Sequence, residues 1–370
     1  MPTEPLQSSD KWPSLSPLYC DTMHMAASSY KSISRPDLHT MRRNVLLTAL
    51  FLIAACAVSA GAAAQFSTKD SASWPTKPLR IIVGFPGGSS PDLTARALAE
   101  PLSRALGQPV IVENKVGAAG NIAADYVAKA TDHHTIGLMI NGNMTIAKLL
   151  NPKLPYDPLK DLQPISLIGF SPLVLVAPAS APGASAQDFL AAARQGGNRW
   201  NYGTPGVGTV GHLGMELLKS RVGLGAVHVP YPGYPQVATA LISGDLQLSL
   251  LPPALASAQI RAGNLRAIAI TASVRSALVP DIPSLSEAGV KDFNLEIWNA
   301  VAASNSLPKP IAARLSSLIS EIVRTPEMRQ KLFQQGWAVA GTSAEGLTNR
   351  VKADTALLGG IIATQHITID

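Results

Sequence analysis

The sequence predicts an α/β fold of two lobes, each with a mainly parallel β-sheet flanked by helices. Three observations predict it: short β-rich runs alternate with helical stretches, glycine-rich loops follow two of the strands, and two apolar runs are placed to cross between the lobes. Two crossings make a hinge, and the cleft between the lobes is then the natural ligand site. The 370 residues are enough for two such lobes.

The first 64 residues are set apart from this fold. Met41 is followed by two arginines, an apolar run over residues 45–58 and small residues up to Ala64. This order is typical of a secretory signal peptide, so residues 41–64 predict export to the periplasm. Residues 1–40 are polar and without pattern, which indicates a non-native extension in front of a true start at Met41. Cys56 also fits a lipid-anchor box, and the alternative is an ordinary signal peptide cleaved near Ala64.

Composition narrows the classes of function. Hydrophobic residues make up 46% of the chain and charged residues 15%, which is typical of a globular protein. The formal net charge is +6, but Lys and Arg are scattered along the chain, which argues against a nucleic-acid partner and suits an anionic ligand. Both cysteines, Cys20 and Cys56, fall in the segment to be removed. No disulfide, zinc cluster or cysteine nucleophile is therefore expected in the mature chain.

The first lobe begins after residue 78. Strands are predicted at residues 79–85, 110–113 and 135–140, and helices at residues 92–106 and 122–130. This βαβαβ order predicts a parallel sheet that is covered on both faces. Gly107 is placed to end the first helix in the left-handed conformation.

The second lobe has its own alternation. Residues 165–178, interrupted by Pro172, predict a strand that leaves one lobe and enters the other. Helices are then expected at residues 186–194, 211–221 and 236–243, and strands at residues 200–203, 226–231, 246–251 and 265–271. Residues 295–303 are predicted to cross back, and the chain from Pro310 onward to supply helices to the first lobe. Lobe 1 then consists of residues 75–170 and 296–370, and lobe 2 of residues 171–295.

The first glycine-rich loop, residues 84–92, lies between a strand and a helix. Glycines allow several N–H groups to point the same way, serine hydroxyls add donors, and a helix start adds a positive dipole. Such a nest holds an anion without a charged side chain, although a plain glycine-rich turn is the alternative. Asp92 is placed to cap the helix. The candidate ligand-binding residues of this loop are Phe85, Pro86, Gly87, Gly88, Ser89, Ser90 and Asp92.

The second glycine-rich loop, residues 203–212, repeats this arrangement in the other lobe. It is not a phosphate-binding P-loop, because no Gly-Lys-Ser/Thr follows, nor a dinucleotide fingerprint, because no acidic residue closes a second strand. Two nests at strand ends would face each other across the cleft. The candidate residues of this loop are Thr204, Gly206, Gly208, Thr209 and His212.

Other polar residues are weaker candidates. His212 has no Ser, Cys or Asp partner at a catalytic spacing, so a structural role is the alternative to catalysis. His133 and His134 are adjacent, and neighbouring side chains on a strand point apart, which argues against a metal pair. Tyr231 either reaches the cleft or packs in the core. Asn141 and Asn143 follow a strand and are expected to contribute to specificity. The sequence contains no Gly-x-Ser-x-Gly elbow, and no cofactor, metal or catalytic residue is expected.

Ordered segments along the chain carry a resemblance to a known family. They include WPTKPLRIIV at residues 74–83, LGQPVIVENK at residues 106–115, GNI at residues 120–122, LPYDP at residues 154–158, the loop over residues 201–213, HVPY at residues 228–231, RAGNLRA at residues 261–267 and PDIPS at residues 280–284. With these segments the chain resembles the Bug family, the periplasmic receptors of tripartite tricarboxylate transporters. The resemblance runs from about Trp74 to near the C-terminus.

The resemblance implies a Venus-flytrap fold, the type II fold of periplasmic binding proteins. It implies that the loops at residues 85–92 and 204–209 clamp a carboxylate through backbone amides, hydroxyls and bridging waters. It also implies a monomer that passes its ligand to one large and one small membrane subunit.

Two departures from the family pattern matter. Gly87 and Ser89 stand where proline and glycine are usual. Relatives that bind amino acids tend to carry an acidic residue at the end of the strand at residues 246–251, where this chain has Leu250, Leu251 and two prolines. A ligand amine would find no partner there. With Leu251 as part of the wall, the ligand is expected to be a di- or tricarboxylate without an amine, or an aromatic acid.

The predicted mechanism is capture by closure, in which the ligand stabilises the closed form by bridging both loops. One rival is a receptor that reports its ligand to a membrane histidine kinase. The other is an exported enzyme on the same fold, for which the sequence offers no convergent acid–base or nucleophile pair.

Overall fold

The computed structural model describes residues 74–368. The predicted signal peptide, the extension before it and Cys56 lie outside the described residues. Within residues 74–368, none of the helices combines the length and the apolarity needed to cross a bilayer.

The first sheet contains six strands. They are β1 (Leu79–Val83), β2 (Val110–Asn114), β3 (Thr135–Ile140), β4 (Leu162–Pro172), β10 (Glu296–Ser304) and β11 (Ala338–Val339). Their spatial order is β11-β4-β10-β3-β1-β2. Strand β1 is parallel to β2 and β3, whereas β10 is antiparallel to β3 and β4, and β11 is antiparallel to β4. Strands β1 to β4 therefore share one direction.

The second sheet contains five strands. They are β5 (Val174–Pro178), β6 (Asn201–Thr204), β7 (Val227–Pro230), β8 (Leu248–Leu251) and β9 (Leu265–Ile270). Their spatial order is β7-β6-β8-β5-β9. Strand β6 is parallel to β7 and β8, and β5 is antiparallel to β8 and β9. Strands β6 to β9 therefore run one way and β5 the other, and each sheet has one reversed strand in its interior.

Helices cover both sheets. They are α1 (Ser90–Leu106), α2 (Asn121–Ala128), α3 (Asn141–Met144), α4 (Ala147–Leu150), α5 (Ala186–Gly196), α6 (Val210–Val222), α7 (Tyr234–Ser243), α8 (Pro253–Arg261), α9 (Lys309–Arg324), α10 (Pro326–Gln334) and α11 (Ala344–Thr364). Helix α1 packs its Ala95, Leu98 and Leu102 into the first core, next to the buried Leu79 and Ile81 of β1. The predicted left-handed cap at Gly107 is confirmed, with φ 68°.

The two passages of the chain between the sheets are tied to each other. Leu173 alone separates β4 from β5, and residues 271–295 connect β9 to β10. Buried Thr271 lies where the passages meet: its hydroxyl accepts a hydrogen bond from Leu173 N at 2.8 Å and donates one to Leu295 O at 2.7 Å. Its backbone N–H also donates to Leu173 O. Thr271 thus links the two connections to each other through hydrogen bonds.

The last helix departs from the expectation that the C-terminal helices serve the first lobe. Leu347 and Val351, near the start of α11, pack in a core cluster of the first sheet. Leu358 and Ile361, two turns later, belong to the core of the second sheet. Near its middle, Asp354 accepts a hydrogen bond from Trp298 Nε1 of β10 at 2.6 Å and one from Arg350.

Most predicted elements are present, with a few differences in bounds. The single run expected at residues 165–178 is two strands that break at Leu173, and the strand expected at residue 246 begins at Leu248. The short helices α3 and α4, and helix α8 behind Pro252, were not expected. Helix α8 begins at Pro253, where proline fits because the first-turn N–H groups have no intrahelical partner.

Candidate functional site

A cavity of about 40 Å³ lies between the two sheets, where the carboxyl ends of several strands meet. The first lobe contributes the start of α1, the end of β3 and the first residues of β10. The second lobe contributes the loop after β6, the start of α6 and the start of α7. The lining residues are Phe85, Ser89, Ser90, Pro91, Ile140, Asn141, Pro205, Thr209, Val210, Tyr234, Pro252, Ile297, Trp298, Asn299 and Trp337.

The first glycine-rich loop is held by the carboxylate of Asp92. One of its oxygens accepts hydrogen bonds from Gly88 N and from Arg96 Nε, both at 2.9 Å, and the other accepts from Asn114 Nδ2 at 2.9 Å. Asn114 also donates to Phe85 O at 2.9 Å. The loop therefore folds around an anion of its own, and the N–H of Gly88 is not available to a ligand.

Asp92 stays ionised although it is 2% exposed. Burial opposes the charged form, but the hydrogen bonds from Arg96, Gly88 and Asn114 outweigh it and hold the pKa of the carboxyl below its usual value. The N-cap of α1 is Ser89, whose side chain makes no capping hydrogen bond. The predicted capping role of Asp92 thus takes another form, because Asp92 reaches back from the third position of α1 to the residue before the cap.

The second glycine-rich loop is held by neutral groups. Thr209 is the N-cap of α6, and its hydroxyl accepts from His212 N at 3.3 Å and donates to Gly206 O at 2.9 Å. Gly208 N donates to Nδ1 of His212 at 3.3 Å. Thr204, buried beneath the loop, lies 2.6 Å from His228 Nε2 through its hydroxyl. No carboxylate enters this set of contacts.

His212 and His228 form a stacked pair behind the loop, with ring centroids 4.3 Å apart. His228 also stacks on Tyr202, whose hydroxyl donates to Glu216, and Glu216 pairs with Lys219 at 2.9 Å. Burial lowers the pKa of His228 to about 4, with repulsion from His212 adding to it. Burial likewise lowers the pKa of His212. Both rings are therefore neutral at pH 7, and His212 supports the loop instead of facing the cavity.

The cavity offers an anion no charged side chain. Among the residues of the described chain that line it there is no Asp, Glu, Lys or Arg. It does lie at the starts of α1 and α6, where first-turn N–H groups lack intrahelical partners and the helix dipole is positive. A carboxylate can be held there by backbone N–H groups.

The structure brings only some of the predicted site residues to this cavity. Phe85, Ser89, Ser90, Asn141 and Thr209 line it. Gly206 and Tyr231 line a second cavity of about 580 Å³, between residues 116–121 and the loops of the second lobe.

The remaining predicted residues lie elsewhere. Gly87 and Gly88 are exposed and Pro86 is partly exposed, while Gly208 packs toward Leu150 of α4. Thr204, His212 and Asp92 hold the loops. Asn143 is buried and donates to Ala119 O and Asn121 Oδ1. Leu251 is fully buried in the core of the second sheet, and the next residue, Pro252, lines the cavity instead.

Sequence reasoning missed most of the lining that comes from late in the chain. Ile297, Trp298 and Asn299 lie near the start of β10, and Asn299 pairs with Ile140 at the end of β3. Trp337 lies between α10 and β11. Tyr234, three residues after the predicted Tyr231, begins α7 with a proline behind it. That Tyr-Pro step was the one local signal that could have indicated a helix start.

The lobes touch on both sides of the cavity, and glycines form the contacts. A Cβ placed on Gly206 would lie 3.0 Å from Ala119 Cβ, and one on Gly142 would lie 2.8 Å from Gly208 O. A Cβ on Gly336 would lie 2.9 Å from Ala254 N, at the start of α8. The lobes therefore approach each other closely at these glycines, with backbone against backbone or against an alanine side chain.

His133 and His134 lie in the first lobe, away from the cleft. His134 Nε2 accepts from Thr76 N at 3.2 Å, and its ring packs on Trp74 with centroids 5.7 Å apart. His133 accepts from Trp74 Nε1 through its carbonyl, at 2.9 Å. Both hold the chain where it enters β1.

Comparisons with known proteins agree with this architecture. Residues 94–367 match the model of the tripartite tricarboxylate transporter family receptor. The Rhodopseudomonas palustris protein Rpa4515, solved with adipate, is 30% identical, with a TM-score of 0.77 over 80% of this chain and 99% of its own. MatC from the same organism, with bound malate, is 28% identical, with a TM-score of 0.74 over 78% and 100%. The periplasmic binding protein BugD is 27% identical, with a TM-score of 0.75 over 80% and 99%. The predicted fold class is confirmed.

Proposed function

The chain belongs to the tripartite tricarboxylate transporter receptor family, and we propose that it captures a small carboxylate without an amine in the cavity between its lobes. The captured ligand is delivered to the large and small membrane subunits of such a transporter. The observation that carries the proposal is an interlobe cavity with helix starts on both sides and no charged lining residue in the described chain.

The start of α6 is the better position for the carboxylate. At the start of α1, the carboxylate of Asp92 already takes the N–H of Gly88 and repels a second anion. At the start of α6, the N–H groups of Val210 and Gly211 have no intrahelical partner, and the supporting rings of His212 and His228 are neutral. The hydroxyl of Tyr234 packs against Gly211, so a further donor lies beside this turn.

The absence of an amine follows from the lining. A ligand ammonium is expensive to bury without a carboxylate partner, and the cavity-lining residues in the described chain include none. Asp92 is close by, but its oxygens are taken by Arg96, Gly88 and Asn114. Trp298, Ile297, Pro252 and Phe85 instead present apolar surface, which suits the carbon chain of the ligand.

Adipate and malate, found in two relatives of this fold, are carboxylates of the proposed class. Closing the lobes over such a ligand brings the two helix starts to it from opposite sides. A ligand that contacts both lobes stabilises the closed form by its differential affinity for that form. The closed form is then the one that the membrane subunits recognise.

Calorimetric titration of the purified protein with malate, succinate, adipate and aspartate tests the proposal. At least one of the first three is expected to bind, and aspartate to bind at least tenfold more weakly than malate or succinate. Failure of all three carboxylates contradicts the proposal. Tight binding of aspartate contradicts the amine-free ligand.

A variant pair tests the position of the ligand charge. Ser90 lines the cavity at the first position of α1, so Ser90→Asp places a negative charge there while favouring the helix. We expect Ser90→Asp to weaken carboxylate binding at least tenfold and the neutral control Ser90→Asn to weaken it much less. Equal affinities for the two variants would show that the carboxylate does not bind in this cavity.

A further inference from the structure

Three residues that line the interlobe cavity each carry a buried polar atom that makes no hydrogen bond within the described part of the chain. The atoms are Ser89 Oγ, Asn299 Oδ1 and Trp337 Nε1. All three residues line the cavity, and their exposed fractions are 4%, 1% and 2%. A buried polar atom without a partner is costly, and three around one cavity indicate a group that satisfies them.

The orientation of the Asn299 amide is fixed by its neighbours. Asn299 Nδ2 lies 3.0 Å from Thr94 Oγ1, and the Thr94 hydroxyl donates its proton to Ser90 O at 2.9 Å. Thr94 therefore accepts from the amide nitrogen of Asn299. The oxygen Oδ1 is left as the unpartnered atom, and it can only accept.

The three atoms together define the complementary group. Trp337 Nε1 can only donate, Asn299 Oδ1 can only accept, and the Ser89 hydroxyl can do either. The group must therefore accept from the indole and donate to the amide. A carboxylate cannot donate to Asn299, and an ammonium cannot accept from Trp337. Water and a hydroxyl both do so, and a hydroxyl is the smallest neutral ligand group that does, which suits a cavity of about 40 Å³.

We infer that Ser89, Asn299 and Trp337 form a hydroxyl-binding subsite, and that the preferred ligand is a hydroxylated carboxylate. The inference rests on the proposed function, because the subsite binds a hydroxyl group of the carboxylate ligand that the cavity holds. The subsite belongs to the first lobe, opposite the start of α6, so the hydroxyl binds one lobe and a carboxylate the other. These residues are therefore specificity-determining positions.

Pairs of ligands that differ only in the hydroxyl test the inference: malate against succinate, and 3-hydroxybutyrate against butyrate. A deoxy ligand closes the cavity without satisfying the subsite, so at least one hydroxylated member should bind tenfold or more tightly than its partner. Titrating both members against the same protein makes the ratio independent of small changes in folding.

Two variants assign the preference to the subsite. Trp337→Phe removes the indole donor, and Ser89→Ala removes a hydroxyl that makes no internal bond. Each is expected to reduce the preference for the hydroxylated ligand at least fivefold, mainly by weakening binding of the hydroxylated member. Trp200→Phe is the matched control, since Trp200 packs on Phe189 in the second lobe and does not line the cavity.

The outcomes separate this inference from the proposed function. If carboxylates bind but the deoxy member binds as tightly as the hydroxylated one, the subsite is filled by water and the inference is wrong. The same holds if Trp337→Phe and Ser89→Ala keep the full preference of the unaltered protein. If neither pair binds and adipate does not bind either, the proposed function fails as well, whereas binding of adipate alone overturns only the inference.

Discussion

The two glycine-rich loops look alike in sequence and are held in different ways. Each follows a strand, opens a helix and contains glycine with positive φ: Gly88 at 79° in the first loop, and Gly206 at 118° and Gly208 at 78° in the second. In the first loop the N–H of Gly88 is bound by a carboxylate, that of Asp92. In the second, the N–H of Gly208 is bound by the neutral ring of His212. The same backbone pattern therefore accommodates an internal anion in one lobe and a neutral group in the other.

This difference shows that a nest-forming sequence does not by itself give a free anion site. In the first loop the N–H of Gly88 donates to Asp92, and this contact fixes the shape of the loop. The hydroxyl of Ser89 makes no hydrogen bond within residues 74–368. The second loop uses its threonines and histidines for shape and leaves the helix start open to an external anion. The two loops can thus bind different ends of one ligand.

The largest expected effect is loss of the internal anion of the first loop. Asp92→Asn keeps the size of the side chain but replaces a carboxylate that binds Gly88, Arg96 and Asn114. We expect the free energy of unfolding to fall by about 3 kcal/mol, because hydrogen bonds to a buried charge are lost. Chemical denaturation measures it. Glu100→Gln on the same helix is the control, since Glu100 is exposed and should change stability by less than about 0.5 kcal/mol. A similar small effect for both variants would contradict the comparison.

As the pH falls, the stability contributed by the residues that support the second loop should be lost before that contributed by Asp92 in the first loop. The pKa of His228 is about 4 in the folded chain and near 6.5 when unfolded, so the unfolded chain binds a proton first as the pH falls. Stability is full above pH 6.5 and is lost as the pH falls toward 4, by about 2 kcal/mol between pH 7 and pH 5. The pKa of Asp92 is lowered, so its contribution is lost only below about pH 4.

His228→Phe isolates this effect, because phenylalanine keeps the stacking on Tyr202 and His212 but cannot take up a proton. The difference in unfolding free energy between pH 7 and pH 5 should be smaller in His228→Phe than in the unaltered protein. An unchanged difference would show that His228 is not the source of the pH dependence.

The two left-handed glycines should tolerate alanine unequally. Gly88→Ala and Gly208→Ala carry a similar backbone strain, since their φ angles differ by only one degree (79° and 78°). A Cβ at Gly88 meets nothing within 4 Å, whereas one at Gly208 lies 2.7 Å from Cδ1 of buried Leu150. We therefore expect Gly208→Ala to cost about 1.5 kcal/mol more than Gly88→Ala in unfolding free energy. Equal losses would mean that α4 moves away without cost.

The smallest expected effect is the difference in stability between variants of the two N-cap residues, Thr209 and Ser89. Thr209→Ala removes an N-cap hydroxyl that accepts from His212 N and should cost about 1 kcal/mol. Ser89→Ala at the matching cap removes a hydroxyl without a capping bond and should change stability by less than about 0.5 kcal/mol. Thermal unfolding of the two variants side by side measures the contrast. A loss from Ser89→Ala as large as that from Thr209→Ala would contradict it.

Most elements of the fold could be predicted from the sequence because each is determined by a local sequence pattern. The apolar run of β1, the glycine after α1 and the alternation in both lobes indicate their structures without knowledge of the partners. The two glycine-rich loops were placed correctly at strand ends for the same reason. The strand that reverses in each sheet was not predicted, because its direction depends on where the chain returns, which no local pattern shows.

The candidate site could be predicted only in part, because its residues come from segments that are far apart in the sequence. Phe85, Ser89, Ser90, Asn141 and Thr209 were found because they follow strands or start helices. Asn299 and Trp337 were missed, since Asn299 reaches the cavity only through its pairing with Ile140. Nor could the sequence show that Arg96 and Asn114 would occupy the carboxylate of Asp92. That arrangement requires α1 and β2 to be placed side by side.

Helix α11 makes the two lobes a single thermodynamic unit. Its first half is part of one core and its second half part of the other, so neither lobe can unfold without stripping buried side chains from its neighbour. The lobes are joined at the hinge by only two passages of chain, which alone would allow them to melt independently. With α11 in place, heat should unfold the protein in one cooperative transition, and the helix sets an upper limit on how far apart the lobes can swing while both cores remain intact.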